Sequence, residues 1–521
     1  MKKKTRTKQE ALAAIIKFIK ENTRYPSMSE LLHMGVTRQG VDYNFGNISN
    51  LKREAYEACS DIIFDLQQRE YKTLHKKNTK RFVITTAVMG ERVDKTFYKN
   101  IKTYCKDFQA ELIVIPALGQ DNKTGPKTGW ILDPLLKDEV IVTSDLSLNS
   151  NIFILGIKAN AKTVDPISGL PRIGQRNGTF ISASPKQRLK YVPTSLDRLP
   201  HALMSTGAIT LPGYASNGLM VDKSNYIAHH DHIMGAIILE LDTHNQFHFR
   251  QIQADKAGTF IDLGTMYKNG KRAAVKPEAL ILGDWHTGDT DPLVVKGLTA
   301  LTKKLKVKRW ILHDLFDGLS INPHITGKNI VLAKMAENNK LSLGNELLML
   351  KRDVTAMSKL VDEVVVVRSN HDEFLNQYLN GGRYVEDHQN HRIALGLALH
   401  LLDGKNPLEE SVGKLKNVKW LKLDESYKIA GIELGAHGHM GANGAKGAIT
   451  SMENDYGNVV FGHTHSAQIL RGAWNVGTST HLRLAYNKGS SSWTQTSCLV
   501  YGNGMRQLIN FFNGEYTTRA A

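Results

Sequence analysis

Five short polar motifs rich in histidine and aspartate follow one another in the C-terminal half of this 521-residue chain. They are GDWH at 283–286, HDLFDG at 313–318, SNHDE at 369–373, AHGH at 436–439 and GHTH at 462–465. Two neighbouring divalent ions need a shared carboxylate, further oxygen and imidazole ligands, and an open position for water and phosphate. Aspartate, asparagine and histidine supply that set, so the motifs predict a two-metal centre that cleaves phosphoesters.

A short apolar run precedes each motif, and the runs indicate how the polar residues are positioned. The runs are ALIL, RWIL, VVVV, IEL and NVVF. Runs of this kind are typical of buried strands, which would deliver the polar loops to one sheet edge. Helical patterns at 292–305 and 345–360 alternate with the strands, so the sequence predicts a layered α/β domain.

The order D-x-H, D-x-x-D, N-H-[DE], H-G-H and G-H-x-H resembles the calcineurin-like metallophosphoesterase superfamily. The resemblance covers about 278–480 and includes a closing N-x-G-[ST] element at Asn475–Thr478. It implies a C-terminal four-layer β-sandwich flanked by helices, in a chain of the α/β class. His313 and Ser369 stand where members of the superfamily mostly have glycine. We therefore expect the shape of these two loops to differ from the usual one, while metal binding is retained.

The resemblance also implies roles for individual residues. His371 would face the scissile phosphate, Asp372 would orient it, and His439 would either join the site or line the phosphate pocket. The cofactors would be two divalent ions, Mn²⁺ in first place and Mg²⁺ as the alternative, which activate water so that no covalent nucleophile is needed. The implied ligands are Asp284, His286 and His465 for one ion, Asn370, His437 and His463 for the other, and Asp314 for both.

A second group of histidines, His229, His230 and His232, surrounds Asp231. Their close spacing points the side chains to different sides of a helix or strand, and no zinc-type ligand motif follows. We therefore expect ordinary hydrogen-bonded histidines here.

The distribution of charge divides the chain. Its formal net charge is +17, and the first 80 residues hold sixteen basic against nine acidic residues. A basic excess at one end favours a polyanion as partner, although an ordinary solvated surface is the alternative. From length and pattern we predict a basic helix-turn-helix-like module at 1–80, an α/β domain of unknown role at 81–272 and a metallophosphoesterase domain at 273–521.

The N-terminal module has clear helix signals. Apolar residues between Leu12 and Ile19 share one helical face, and Ser27 and Thr37 can cap two further helices. The stretch that follows Tyr25 resembles small DNA-binding repeats associated with homing endonucleases. That likeness implies DNA contacts by Arg38, Gln39 and Asn44, whereas Tyr43 and Phe45 are expected in the core.

The middle region is the least informative. FVITTAV, ELIVIPA, EVIVTSD and NIFILGI predict strands, but no phosphate-binding or dinucleotide fingerprint accompanies them.

Three widely spaced cysteines indicate neither a disulfide framework nor a zinc knuckle. No apolar run reaches membrane-spanning length and lysines interrupt the N-terminal segment, so we expect a cytoplasmic protein without a membrane partner. The sequence neither predicts nor excludes a homo-oligomer.

The metal centre alone would serve many phosphoesters, and the context therefore decides the substrate. The basic module, the net charge and the HDLFDG loop, which is similar to the DLF-containing loop of SbcD-class repair nucleases, favour a metal-dependent DNase. The layout also resembles early host-genome-degrading proteins of virulent tailed phages, which would place the chain in the bacterial host cytoplasm. The alternatives are a small-molecule phosphatase or nucleotidase, and a DNA-binding regulator with a vestigial metal site.

Overall fold

The computed structural model describes residues 6–68, 80–119, 130–195, 198–214, 222–242, 246–484 and 487–518, with the backbone alone at 175–177. This part of the chain is a mixed α/β structure with several multi-stranded sheets and fourteen α-helices. The helices are α1 (Lys8–Asn22), α2 (Met28–His33), α3 (Arg38–Phe45), α4 (Ile48–Cys59), α5 (Lys95–Phe108), α6 (Pro171–Asn177), α7 (Lys223–His230), α8 (Pro292–Leu305), α9 (Asn329–Glu337), α10 (Leu343–Ser358), α11 (Asn370–Asn380), α12 (His391–Leu402), α13 (Pro407–Val412) and α14 (Ile449–Tyr456).

The strands up to the middle of the chain are β1 (Phe64–Asp65), β2 (Arg81–Val88), β3 (Glu111–Ala117), β4 (Ile131–Leu132), β5 (Val140–Ile141), β6 (Leu146–Ser147), β7 (Ile152–Ile154), β8 (Thr179–Ser182), β9 (Gln187–Val192), β10 (His201–Thr206), β11 (Gly235–Leu241), β12 (Phe247–Gln253), β13 (Phe260–Asp262), β14 (Thr265–Lys268) and β15 (Lys271–Ala274). The later strands are β16 (Pro277–Ile281), β17 (Arg309–Leu312), β18 (Glu363–Val366), β19 (Val418–Trp420), β20 (Lys428–Ile429), β21 (Ile432–Glu433), β22 (Val459–Phe461), β23 (Gln468–Leu470), β24 (Ala473–Asn475), β25 (Thr496–Tyr501) and β26 (Arg506–Asn510).

Four short helices form the N-terminal module, and the predicted caps hold them. Ser27 and Glu30 form a reciprocal capping box at α2, while the Thr37 side chain accepts a hydrogen bond from the Gly40 amide at α3. One apolar cluster fills the space between the helices and includes Ile131 from the next part of the chain. Since β1 also pairs with β4, the module is joined to the middle region by packing as well as by sequence.

Two large sheets face each other across a common core. The six-stranded sheet has the order β19-β18-β17-β16-β25-β26, and the ten-stranded sheet has the order β20-β21-β22-β24-β23-β9-β10-β8-β7-β6. Ile311 and Val365 of the first sheet share one buried cluster with Val460 and Trp474 of the second. The interior is therefore a sheet-on-sheet sandwich.

Helices cover both outer faces of this sandwich. Val294 of α8 and Leu350 of α10 pack with Trp310 on the outer face of the six-stranded sheet. On the other side, Met452 of α14 packs with Phe461 of β22. Helix, sheet, sheet and helix thus follow one another. None of the helices within the described ranges is long and apolar enough to cross a membrane.

The ten-stranded sheet crosses the predicted boundary between residues 272 and 273. Strand β23 pairs with β9, with Ile469 opposite Leu189. A further five-stranded sheet, β12-β11-β2-β3-β5, adds Ile84 and Ile237 to the same core as the sandwich. The middle and C-terminal regions are consequently built around one shared core, and short-range sequence patterns carry no information on such long-range pairing.

A buried ionic network ties the middle region to the last residues of the chain. The Arg250 side chain donates to Asp262 Oδ1 at 2.7 Å and to Glu240 Oε1 at 2.5 Å, and all three residues are fully buried. Glu240 Oε2 also accepts from the Thr517 hydroxyl at 2.6 Å. Every carboxylate of the network therefore has a hydrogen-bonding partner, as burial requires.

Replacing Arg250 with alanine should strongly destabilise the fold. The change leaves two buried carboxylates without their cation, which typically costs about 3–5 kcal/mol of unfolding free energy. Urea denaturation followed by circular dichroism measures the loss. Arg309→Ala is the matched control, because Arg309 pairs with Glu278 and Glu363 at the surface, where such pairs contribute about 0–1 kcal/mol. Equal losses in both variants would contradict a structural role for the buried network.

Candidate functional site

The five polar motifs meet at one end of the sandwich. Each predicted strand is present, with β16, β17 and β18 before the first three motifs and β21 and β22 before the last two. The expectation of a single sheet edge was wrong, because β16–β18 belong to the six-stranded sheet and β21–β22 to the ten-stranded sheet. Loops from both facing sheets converge, which lets ligand side chains approach from opposite sides.

Two groupings of potential metal ligands share the carboxylate of Asp314. One consists of His286, Asp314 and His465, and the other of Asp314, His437 and His463. Within each grouping the ligand atoms lie within 4.8 Å of one another. The side chains of both groupings are buried or partly buried. Asp314 thus occupies the shared position that was predicted for it.

The other two predicted ligands complete these groupings. Asp284 Oδ2 lies 3.1 Å from His465 Nε2. The Asn370 side-chain oxygen lies 3.1 Å from both His437 Nε2 and His463 Nδ1. The structure thus brings all seven predicted ligands together, in the two sets that the resemblance implied.

Several buried polar atoms of the site have no hydrogen-bonding partner. They include Asp284 Oδ1, Asp314 Oδ1 and His465 Nδ1. A buried carboxylate oxygen without a partner is costly in an ordinary core, whereas it is the expected state of an atom that binds a cation. The donor set of carboxylate, amide and imidazole groups therefore fits divalent metal ions.

The backbone is strained at four of the predicted ligands. His286, Asp314, His463 and His465 have φ angles of +47°, +43°, +75° and +56°. Residues other than glycine rarely adopt this left-handed backbone conformation, and each such residue costs about 1–3 kcal/mol of folding free energy. Such strain persists where the surrounding structure holds it, and it is often found at functional sites.

Neighbouring residues hold these strained loops. A Cβ at Gly462 would lie 2.1 Å from Asp284 Oδ1, so only glycine fits before His463. The Asn475 side-chain amide donates to the Gly462 carbonyl at 2.8 Å and its oxygen accepts from Thr464 Oγ1 at 3.1 Å. The N-V-G-T element therefore braces the GHTH loop.

Ser369 explains how the SNHDE motif presents its residues. It is the N-cap of α11, with its side chain bonded to the Asp372 amide while Asp372 Oδ2 accepts from the Ser369 amide. Asn370 and His371 consequently occupy the first turn of a helix whose N-terminus points at the site. Ser369, which replaces the glycine common in the superfamily, therefore serves as a helix cap.

The predicted role of Asp372 in orienting His371 was wrong. The Asp372 carboxylate caps α11, and burial raises its pKa to about 6. His371 Nδ1 instead lies 2.6 Å from the Asp317 carbonyl oxygen and 3.6 Å from its carboxylate. This contact leaves Nε2 as the ring nitrogen available to a substrate.

Asp317 is the site residue that the sequence analysis left without a role. Its carboxylate accepts from His286 Nδ1 at 2.9 Å, and it forms a third potential metal-ligating grouping with His286 and His371. The D-x-x-D spacing within HDLFDG was the available signal. Asp317 thereby connects a predicted ligand with the predicted phosphate-facing histidine.

The aspartates give the site a negative potential. Burial opposes protonation of His286, but Asp317, Asp314 and Asp284 outweigh it and raise its pKa to about 9. Burial also opposes ionisation of Asp314, yet its histidine neighbours hold its pKa well below the usual range. A potential that favours protonated histidine would equally attract divalent cations.

Two further histidines border the groupings. The His313 ring lies against that of His437 with centroids 5.6 Å apart, and burial lowers the pKa of His313 to about 3, so it is neutral. The His439 ring lies 5.4 Å from that of His437. By contrast, His232 bonds to Tyr214 and to the Thr210 carbonyl, as expected for an ordinary histidine.

Comparison with known proteins adds a relative. The chain is 30% identical over 479 residues to Protein A1 of Escherichia phage T5, covering 84% of this chain and 83% of that protein. This chain belongs to the Protein A1 family. No family model matches it. The Protein A1 family has a bacteriophage member, which supports a phage origin, and the aligned region is much longer than the stretch that carries the candidate ligand motifs.

The residues predicted to contact DNA lie in the N-terminal module. Arg38 and Gln39 are exposed on α3, whereas the Asn44 amide donates to the Arg6 carbonyl at 3.3 Å. Phe45 is buried as expected, but the placement of Tyr43 in the core was wrong, because it is 91% exposed. Helix α3 turns Tyr43 to the outside because Val41 and Phe45 already fill its buried face.

Replacing Asp317 with alanine should weaken metal binding about 10–100-fold, because outer residues that orient a ligand histidine commonly have effects of this size. Isothermal titration with Mn²⁺ measures the affinity. Asp362→Ala, at a position outside the groupings, is the control. Unchanged Mn²⁺ affinity in Asp317→Ala would show that His286 needs no such partner.

Proposed function

We propose that this protein is a metal-dependent DNase, a hydrolase of phosphodiester bonds with a calcineurin-like metallophosphoesterase centre. The observation that carries the proposal is that the Asp314 carboxylate belongs to two ligand groupings. His371 lies beside these groupings, next to Asp317. A shared carboxylate is what a pair of metal ions acting on one phosphate requires. Two ions are proposed, with Mn²⁺ in first place and Mg²⁺ as the alternative.

The residues divide into binding and reacting groups. One ion would be held by Asp284, His286, Asp314 and His465, and the other by Asp314, Asn370, His437 and His463. When bound, such ions activate water and neutralise phosphate charge. Because the Asp317 carbonyl accepts from His371 Nδ1, Nε2 would donate to the phosphate or protonate the departing oxygen in the cationic, doubly protonated form of the ring. Asp317 is a positioning residue, because it fixes the ring of His371 through Nδ1.

Charge and relationship favour DNA as the substrate. The net charge is +17, and Arg38 and Gln39 are exposed on a short helix of the basic module. Lysine and arginine side chains bind nucleic acid by neutralising phosphates. A phage relative makes degradation of host DNA during infection the biological role that we propose, in the host cytoplasm.

Covalently closed circular DNA tests the proposal directly. The purified protein is incubated with it in Mn²⁺, in Mg²⁺ and in chelator, beside the Asp314→Ala variant. Nicking or degradation that requires metal and Asp314 is the expected result. Intact circles with degraded linear DNA would indicate an exonuclease. Release of phosphate from nucleotides with both DNAs intact would replace the proposal with a small-molecule phosphatase.

The double variant Arg38→Ala/Gln39→Ala should weaken DNA binding without affecting hydrolysis of a small chromogenic phosphodiester. Loss of one phosphate contact lowers the slope of log affinity against log salt by about 1. Fluorescence anisotropy at several salt concentrations measures this slope. Lys303→Ala, an exposed position on α8, is the control.

A surface variant is preferable to truncation before Arg81. Phe64 and Leu66 are buried in the same cluster as Val83 and Ile101 of the middle region, so truncation would open that core. An unchanged salt slope in the double variant would show that α3 does not bind DNA.

A further inference from the structure

A cavity of about 650 Å³ lies where the three large sheets meet. Its walls come from β8 and β10 of the ten-stranded sheet, β12 of the five-stranded sheet, and the residues around β25 and β26 of the six-stranded sheet. Sites for small molecules typically measure about 300–1,000 Å³. This cavity is therefore large enough for a nucleotide.

Several aromatic rings line the cavity. Tyr191, Phe247, Trp493 and Phe512 all contribute to it. Phe247 is half-buried and its ring stacks on Phe249, with centroids 6.3 Å apart. Flat rings that remain partly accessible in a cavity offer stacking surfaces to a nucleobase, and every base has a π-face with which to use them.

Polar side chains also line the cavity, and one of them carries a positive charge suited to a phosphate. The Asn510 Oδ1 atom accepts from the Tyr191 and Thr496 hydroxyls, while its buried amide nitrogen has no hydrogen-bonding partner. Arg198, which is exposed at the cavity, provides a cation for phosphate.

Trp493 connects the cavity to the metal-ligand groupings. Its ring meets the His465 ring edge to face with centroids 4.2 Å apart. The Thr494 amide, from the same stretch of cavity wall, donates to the His465 carbonyl at 2.9 Å. A nucleotide in the cavity would thus lie next to the site where a phosphodiester is cleaved.

We propose that this cavity binds a nucleobase, with its sugar and phosphate, from a DNA strand held at the metal centre. The inference rests on the proposed DNase function for the identity of the strand. A base can enter only if it has left its duplex, so the cavity favours single-stranded or locally opened DNA. A free deoxynucleotide has the same chemistry and is the other source that the test distinguishes.

Photo-cross-linking with 5-iodouracil tests the inference without requiring turnover. A thymidine hexamer carrying one 5-iodo-2′-deoxyuridine, or free 5-iodo-2′-deoxyuridine monophosphate, is irradiated with the full chain in chelator, and the labelled peptides are mapped. We expect label in peptides containing Phe247, Trp493 or Phe512. Labelling by the hexamer identifies a strand base, and labelling by the monophosphate alone identifies a free nucleotide. Label only at other places would overturn the inference.

Paired variants show whether the ring itself matters. Phe247→Leu removes the stacking surface and should lower the labelling of the cavity about fivefold or more, whereas Phe247→Tyr keeps the ring and should remain within about twofold of the parent. Arg198→Ala, at an exposed position, should lower labelling even if Phe247→Leu fails to fold. Equal labelling in the parent, Phe247→Leu and Arg198→Ala would overturn the site.

The same samples separate this inference from the proposed function. The parent chain should also hydrolyse a small chromogenic phosphodiester in Mn²⁺, which reports on the metal centre independently of DNA binding. Digestion of DNA with an unlabelled cavity would reject the nucleobase site alone. A labelled cavity in a protein that digests no DNA would reject the DNase proposal and leave a nucleotide-binding site.

Discussion

Asp314→Ala is expected to abolish DNA cleavage, with a fall in turnover of about 10³-fold or more, because one carboxylate belongs to both ligand groupings. Metal binding should weaken at both ligand groupings. A bound ion stabilises the folded chain by about 2.7 kcal/mol at one hundred times its dissociation constant, so Mn²⁺ should raise the melting temperature of the parent but hardly that of the variant. Thermal melting with and without Mn²⁺ measures this difference.

The control for Asp314→Ala is Asp403→Ala. Asp403 is an exposed aspartate at the end of α12 that pairs only loosely with Lys405, at 3.5 Å. It should retain both cleavage and the Mn²⁺-dependent rise in melting temperature. If Asp314→Ala binds Mn²⁺ as the parent does, the shared carboxylate is not a ligand and the proposed centre is incorrect.

His371→Ala should lose most turnover while retaining metal and DNA binding. His371 belongs to neither of the two groupings that share Asp314, and its Nε2 is the nitrogen left for the substrate. Positioned acids and hydrogen-bond donors of this kind contribute about 10²–10⁴-fold to the rate. Single-turnover kinetics on an oligonucleotide, together with Mn²⁺ titration and DNA anisotropy, separate the chemical step from binding.

Leaving-group dependence refines the test of His371. A nitrophenyl phosphodiester has a good leaving group that needs little protonation, so it should lose less rate than DNA if His371 protonates the departing oxygen. Equal losses on both substrates would instead indicate stabilisation of the phosphate. His400→Ala, at a partly exposed histidine near Glu410, should change neither rate. Full activity in His371→Ala would remove this residue from the mechanism.

Local patterns predicted the local structure well. The caps predicted at Ser27 and Thr37 and the apolar spacing between Leu12 and Ile19 correspond to α1–α3, and Pro292–Leu305 is a helix with the predicted bounds. Each apolar run before a polar motif is a strand. These features depend on neighbouring residues alone, through hydrogen bonds within a turn and through the periodic burial of one face.

Contacts between distant residues were harder to predict. Asp372 is adjacent to His371 in sequence, yet Asp317, more than fifty residues away, holds the ring. Adjacent residues at the start of a helix point in different directions, and the N-cap of α11 requires the Asp372 carboxylate. Tyr43 was misplaced for a related reason, since its exposure depends on which helices cover α3.

The sequence by itself determined the types and the order of the candidate ligand residues, because Asp314, Asn370 and the histidine motifs can be recognised from short fixed spacings. The tertiary structure alone decided three things. They are the convergence of loops from two facing sheets, the continuation of the ten-stranded sheet across residue 272, and the aromatic cavity beside His465. Each depends on packing between segments far apart in the chain, where many arrangements satisfy the same local pattern and only the shared core selects one.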